Sequence, residues 1–122
     1  MQSILGNSRK PDIVFSSSGR IDITSNVARH LHLRRGDVVD ILSDGYEYYL
    51  YVKLRAPVGG RHEAMVFPTN SRGNHFRASS RKLCAAILEA SGVNDKARLC
   101  IGVPVEDNLH GILLPIIIKY LL

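Results

Sequence analysis

The stretch SSSGRIDITSNVARHLHLRRGDVVDIL, residues 16–42, decides how the chain is read. Gly19-Arg20 has the composition of a tight turn, because glycine enters positive-φ geometry without a steric penalty. Arg20-Ile21-Asp22-Ile23 then alternates polar and apolar side chains, as a half-buried strand does. Thr24 or Ser25 supplies a capping oxygen, and Val27, Ala28 and Leu31 give a short helix one apolar side. Arg34-Arg35-Gly36-Asp37 is expected to stop that helix, with Val38 to Leu42 following as a β-rich strand. Upstream, Asp12 to Phe15 begins as a strand. Downstream, Ser43-Asp44-Gly45 has hairpin-turn chemistry, and Tyr46 to Leu54 returns with Tyr48, Leu50, Val52 and Leu54 on one face.

The same plan recurs. Ala64 to Phe67 reads as a strand and Ser71-Arg72-Gly73-Asn74 as a turn. Ala78-Ser79-Ser80 offers a second cap before RKLCAAILEASG, a stronger helix with Leu83, Ile87 and Ala90 along one stripe and Gly92 at its end. Arg98 to Val103 is a strand, Glu106 to Gly111 a polar turn, and Ile112 to Leu121 the last strand. The expected fold is therefore β-rich α+β: a small barrel of two pseudo-repeated ββαββ halves, with one short and one longer helix. The halves are 12–54 and 64–122, joined by the connector RAPVGGRHE at 55–63. Residues 1–11 carry two basic groups and no acidic one, and are expected to form a flexible basic arm ahead of a single domain, 12–122.

A chain of 122 residues with 45% hydrophobic and 22% charged content is long enough to bury a core of its own. The apolar run Ile112 to Ile118 is interrupted by Pro115 and is too short to span a bilayer. The N-terminal MQSILGNSRKPD lacks the apolar core of a secretory signal, so the expected location is cytoplasmic, with no membrane partner. Cys84 in the longer helix and Cys100 in a strand fit that compartment as buried, reduced thiols. The net charge of +5 is concentrated: residues 55–82 hold Arg55, Arg61, Arg72, Arg77, Arg81 and Lys82 against Glu63 alone. Such a stripe attracts phosphate or another acidic partner. As a plain solvated surface, its arginines would pair with Asp22, Asp37 or Asp40.

The residues Gly19-Arg20, Ile21 and Ile23, Leu31-His32-Leu33, Gly36-Asp37 and Val38 to Leu42 follow in an order that has a known counterpart. Together with the hairpin at Asp44-Gly45, this segment resembles the swapped-hairpin DNA-binding domain of AbrB- and SpoVT-like transition-state regulators and antitoxins. That family shows a glycine-arginine turn, a strand ending near proline, a short helix, an L-G-[IV] break and a G-D turn. Thr24 stands here where the family has proline, and His32 where it has glycine. The resemblance implies a barrel that simpler members complete by interlacing two chains. Here the second half would supply the partner, as in the related double-psi β-barrels, giving a monomer if one barrel closes and a homodimer if it does not. It also implies that Arg20, on the glycine-arginine turn, and Arg29, on the short helix, face double-stranded DNA. At the corresponding turn of the second half stand Asn74, with Arg72 and Arg77 beside it, and then Arg81. A two-fold arrangement is expected to bring both turns toward one face.

Other chemistry is weaker in the sequence. Asn74-His75-Phe76 offers a ring and an amide to an unpaired base, against the simpler reading of Phe76 as core. The tyrosines at 46, 48, 49 and 51 alternate in face and suit cross-strand packing. His30 and His32 do not share a helix face, His62-Glu63 lacks a third ligand, and zinc spacings are absent, so no metal or other cofactor is expected. Neither GxSxG, a P-loop nor a dinucleotide fingerprint occurs, and the chain is read as non-enzymatic. His75 with Asp22 or Glu63 is the acid–base pair considered. The alternative to DNA is an acidic protein or a small anion on the basic segment.

Overall fold

The computed structural model describes residues 10–118. Nine strands and two helices follow in the order β1 (Ile13–Ser16), β2 (Arg20–Ile23), α1 (Ser25–Leu31), β3 (Val38–Ser43), β4 (Tyr48–Leu54), β5 (Phe67–Pro68), β6 (Phe76–Ser79), α2 (Arg81–Ser91), β7 (Lys96–Ile101), β8 (Val105–Asp107) and β9 (Gly111–Ile117). The chain is thus β-rich α+β, with one short and one longer helix. Of the basic arm expected at 1–11, residues 1–9 lie outside the described residues, as do 119–121 of the last expected strand.

The longer helix is delimited by local chemistry. The Ser80 hydroxyl accepts the Leu83 N–H at 3.0 Å, and Gly92 closes the helix at φ 69°. Cys84, Ile87 and Leu88 form its buried stripe, which packs against β1, β2 and β7. The shorter helix departs from expectation at its end. It stops at Leu31, ahead of the RRGD turn, because His32 adopts the left-handed conformation at φ 52°. His32 and Leu33 then donate their N–H groups to the Arg29 and Ala28 carbonyls. A histidine thus stands in a conformation that glycine adopts without steric penalty. At the other end, Thr24 makes no side-chain cap; its hydroxyl donates to the Asp12 carbonyl at 2.7 Å and ties α1 to the start of β1.

All strand pairings are antiparallel, and eight strands form the order β3-β4-β9-β7-β1-β2-β6-β5, with β8 off this path on β9. The sheet curls until its ends meet. Val39 donates to the Ala64 carbonyl at 3.0 Å, and Val66 to the Asp37 carbonyl at 2.8 Å, so the chain just before β5 lies along β3. Of the strand expected at Ala64 to Phe67, the Ala64 carbonyl and the Val66 N–H thus bond along β3, while the Ala64 N–H donates to the Ser79 carbonyl of β6 at 3.0 Å, and β5 itself is two residues long. The turn expected at Glu106 to Gly111 likewise begins later, since Val105–Asp107 pairs with β9 before the chain reverses.

Alternate residues face into the curl. Ile13, Phe15, Ile21, Leu99 and Leu114 are fully buried, and Val27, Leu31, Cys84 and Ile87 enter from the helices. Phe76 is core, as the simpler reading had it, and both cysteines are buried. Burial raises the Cys84 thiol's pKa above its ordinary value, which disfavours the reactive thiolate.

Asp37 joins α1 to the sheet. Almost fully buried, it accepts the N–H groups of Arg34 at 2.9 Å and Ala56 at 3.0 Å and pairs with Arg55 Nη1 at 2.9 Å. Arg55 also donates to the Leu31 and His32 carbonyls, both at 2.8 Å, satisfying the open end of α1. The G-D turn is therefore a structural hub.

Candidate nucleic-acid interface

The strand register assembles a surface from distant residues. Val14 of β1 stands opposite Arg98 of β7 on one side and Asp22 of β2 on the other. Asp22 is opposite Arg77 of β6, and Arg77 is opposite Phe67 of β5. Directly opposed residues share a face, so Arg98, Val14, Asp22, Arg77 and Phe67 form one outward row across five strands. Their neighbours along the strands, such as Ile13, Ile21, Ile23, Phe76, Ala78 and Leu99, are buried on the inner face.

Asp22 organises the centre of the row. Its Oδ1 accepts Arg77 Nε–H at 2.8 Å, and its Oδ2 lies 3.1 Å from Arg20 Nε. Each guanidinium is thus held by its inner nitrogen. The terminal Nη groups of both have no protein partner among the described residues, so four N–H₂-bearing corners remain for an anion. Both arginine side chains are about half exposed, at 44% and 49%, which keeps them accessible while the carboxylate restricts them.

Beside this cluster, the Arg61 and Arg35 guanidinium carbons lie 5.5 and 5.9 Å from the centroid of the Phe67 ring. Such cation–π contacts orient both arginines over an aromatic platform. Arg61, His62, Phe67, Thr69, Arg77 and Ser79 line a groove of about 290 Å³ there.

The expected site residues divide into groups. Arg20 and Arg77 are brought together on Asp22. Arg29 donates to the Asn26 side-chain oxygen at 2.8 Å and lines a separate groove with His32, Gly73 and Asn74. The Asn74 side-chain oxygen accepts from Asn70 at 2.6 Å, within a turn in which Arg72 is exposed. Arg81 opens α2 and lies against Gly19, where a Cβ would stand 2.9 Å from Arg81 Cγ. That approach, with φ at +94°, is why residue 19 is glycine. Because β2 and β6 run antiparallel, with Arg20 opposite Ser79 and Ile23 opposite Phe76, the two glycine turns stand at opposite ends of the pair. About 10 Å of strand, carrying Asp22 and Arg77, lies between them.

Sequence reasoning did not select Arg98, Arg35, Arg61 or Phe67 for the site. Alternation in Lys96 to Ile101 places Arg98 outward, but only the pairing with β1 shows what it stands beside. Conversely, Arg55 counted toward the basic segment and is engaged at the end of α1. The carboxylates considered as acid–base partners for His75 are committed elsewhere: Asp22 to two arginines, and Glu63 to the Ser80 hydroxyl at 2.6 Å. Among the described residues no group of three histidine, cysteine or acidic side chains is placed to hold a metal ion, and no helix is long and apolar enough to cross a membrane. Compared with protein-family models, curated proteins and solved structures, the chain matches none.

Proposed function

We propose that the chain is a non-catalytic DNA-binding regulatory protein of AbrB or SpoVT type, binding duplex DNA mainly through arginines on the outer face around β2 and β6. The observation that carries this reading is the Asp22 cluster, which fixes Arg20 and Arg77 by their inner nitrogens and leaves their outer nitrogens available. Fixed guanidinium forks suit phosphate oxygens and the guanine edge, because less rotamer freedom is lost on contact. Arg98 on one side and Arg35 and Arg61 on the other lengthen the basic strip, and Arg29, Arg72 and Asn74 extend it at one end.

The pseudo-repeat read from the element order fits the same proposal. β1 pairs with β2 as β5 does with β6, β3 with β4 as β7 does with β9, and β1 with β7 as residue 65 does with β3. β2–β6 and β4–β9 each pair a strand with its own counterpart. A two-fold barrel made from one chain presents its arginines as a dimer of the simpler family members would, and makes a monomer sufficient.

The test is fluorescence anisotropy with a labelled random duplex across a salt series. Contact with roughly four to six phosphates weakens binding about 10²- to 10³-fold between 50 and 200 mM salt. No binding at low salt, or binding indifferent to salt, refutes the proposal. A second reading, an interaction module for an acidic protein, draws on the same arginines, whose outer nitrogens suit carboxylates as well as phosphates. In that case the duplex is ignored and the basic face is retained for the partner.

A further inference from the structure

We propose that the groove between β5 and β6 binds one nucleotide unit, an aromatic base carrying a phosphate, in contact with Phe67 and its flanking arginines. The inference does not rest on duplex binding, since the groove is built for a base that is not paired.

Three observations converge there. The groove, at about 290 Å³, falls near the lower end of small-ligand pockets, roughly 300 Å³, and is lined by both apolar and polar side chains. Phe67, Pro68 and Met65 supply the apolar surface, and Ser79 and Thr69 supply hydroxyls. Second, the Phe67 ring is accompanied by two guanidinium groups, 5.5 and 5.9 Å from its centroid. Planar guanidinium and phenyl groups are the surfaces on which unpaired bases stack. Third, Arg77 stands opposite Phe67 in the register and is anchored to Asp22 at 2.8 Å, so a phosphate-binding fork is held one strand away from the stacking platform. A base stacked on the guanidinium groups that lie over the Phe67 ring, with its phosphate on Arg77, satisfies both ends of one ligand. Inorganic phosphate uses only the arginines, and a nucleoside uses only the platform.

The same chemistry comes either from a free mononucleotide or from an unpaired residue of a strand. The experiment titrates ¹⁵N-labelled protein with deoxyadenosine monophosphate, deoxyadenosine and inorganic phosphate, followed by two-dimensional amide spectra. Alongside, labelled oligo-deoxythymidine and a blunt duplex are titrated by anisotropy. Deoxyadenosine monophosphate is expected to shift amides in 61–69 and 77–79 and to bind about tenfold or more tightly than either half alone. Phe67→Leu, which keeps apolar bulk and removes the aromatic face, and Arg77→Gln should each lose about tenfold in nucleotide affinity while retaining the folded spectrum. If the oligonucleotide binds more tightly than the mononucleotide and competes with it, the natural ligand is a strand; if it does not, the ligand is the free nucleotide. Phosphate binding as tightly as the nucleotide, shifts confined to the Arg29–Asn74 groove, or a folded Phe67→Leu with unchanged affinity would each overturn the proposal. A duplex that fails to bind while the nucleotide still does so refutes the preceding reading and leaves this one standing.

Discussion

Three single substitutions remove the same unit of charge, yet the structure requires them to behave differently. Arg20→Gln and Arg77→Gln each delete a guanidinium that contacts Asp22 through Nε and presents its outer nitrogens. If each contacts one phosphate, each lowers the slope of log K against log salt by about 0.9 and weakens duplex binding roughly eightfold at 0.1 M salt. Their cost in stability is small, because both side chains are about half exposed and Asp22 retains the other arginine; such pairs contribute at most about 1 kcal/mol. Arg55→Gln is the control. It removes two hydrogen bonds to the end of α1 and the cation beside the buried Asp37. Water reaches the half-exposed position, so the expected loss is about 1–2 kcal/mol of stability, with the salt slope unchanged. Urea unfolding followed by circular dichroism reads the stability, and anisotropy across a salt series reads the slope. The chain has no tryptophan, so fluorescence is the poorer probe of unfolding. Wild-type slopes for Arg20→Gln and Arg77→Gln would remove both from the interface. An equal slope change for Arg55→Gln would mean that diffuse charge, with no sited contacts, governs binding.

Replacing the buried Asp37 by alanine leaves the N–H groups of Arg34 and Ala56 and the Arg55 guanidinium without their acceptor in a partly buried position, and should cost about 2–3 kcal/mol in urea unfolding; Asp37→Asn, which keeps one acceptor, should cost about half of that. A loss below about 1 kcal/mol for the alanine variant would refute the hub role. His32→Gly should stabilise by about 0.5–1 kcal/mol, seen as a higher urea midpoint at unchanged m-value, because glycine relieves the positive-φ strain and gives back part of the gain in unfolded-chain entropy. A lower midpoint would mean that the imidazole makes a compensating contact. The contact with His110 Nδ1 at 2.6 Å, helped by the His110 and Leu109 N–H groups, lowers the Asp107 pKa. The folded value lies below the unfolded one, so this contribution is complete above about pH 4 and fades as pH falls through the lowered value. Carbon-detected titration of the Asp107 carboxyl should give a midpoint below about 3.9, and a midpoint at or above that would contradict the pairing.

What could be read from the sequence is what local chemistry decides. Ser80 and Gly92 bracket α2 because a hydroxyl cap and a left-handed glycine act within one helical turn of their own position. The end of α1 was not legible, since histidine does not advertise the left-handed geometry that His32 adopts. β8 was hidden because Val105-Glu106-Asp107 gains its strand conformation from β9, and its side chains do not demand it. Register is the larger gap. Asp22 and Arg77 are 55 positions apart, and no property of either residue names the other. The site depends on that register more than on composition. In the sequence, Arg55, Arg61 and Arg77 belong to one basic segment; in the fold Arg55 closes a helix, Arg61 covers an aromatic ring and Arg77 is fastened to an aspartate. Arg20, Arg35 and Arg98, which lie outside that segment, stand on the face that Arg61 and Arg77 occupy. The net charge of a stretch therefore predicts attraction to anions, and strand pairing decides which of its arginines remain able to act on it.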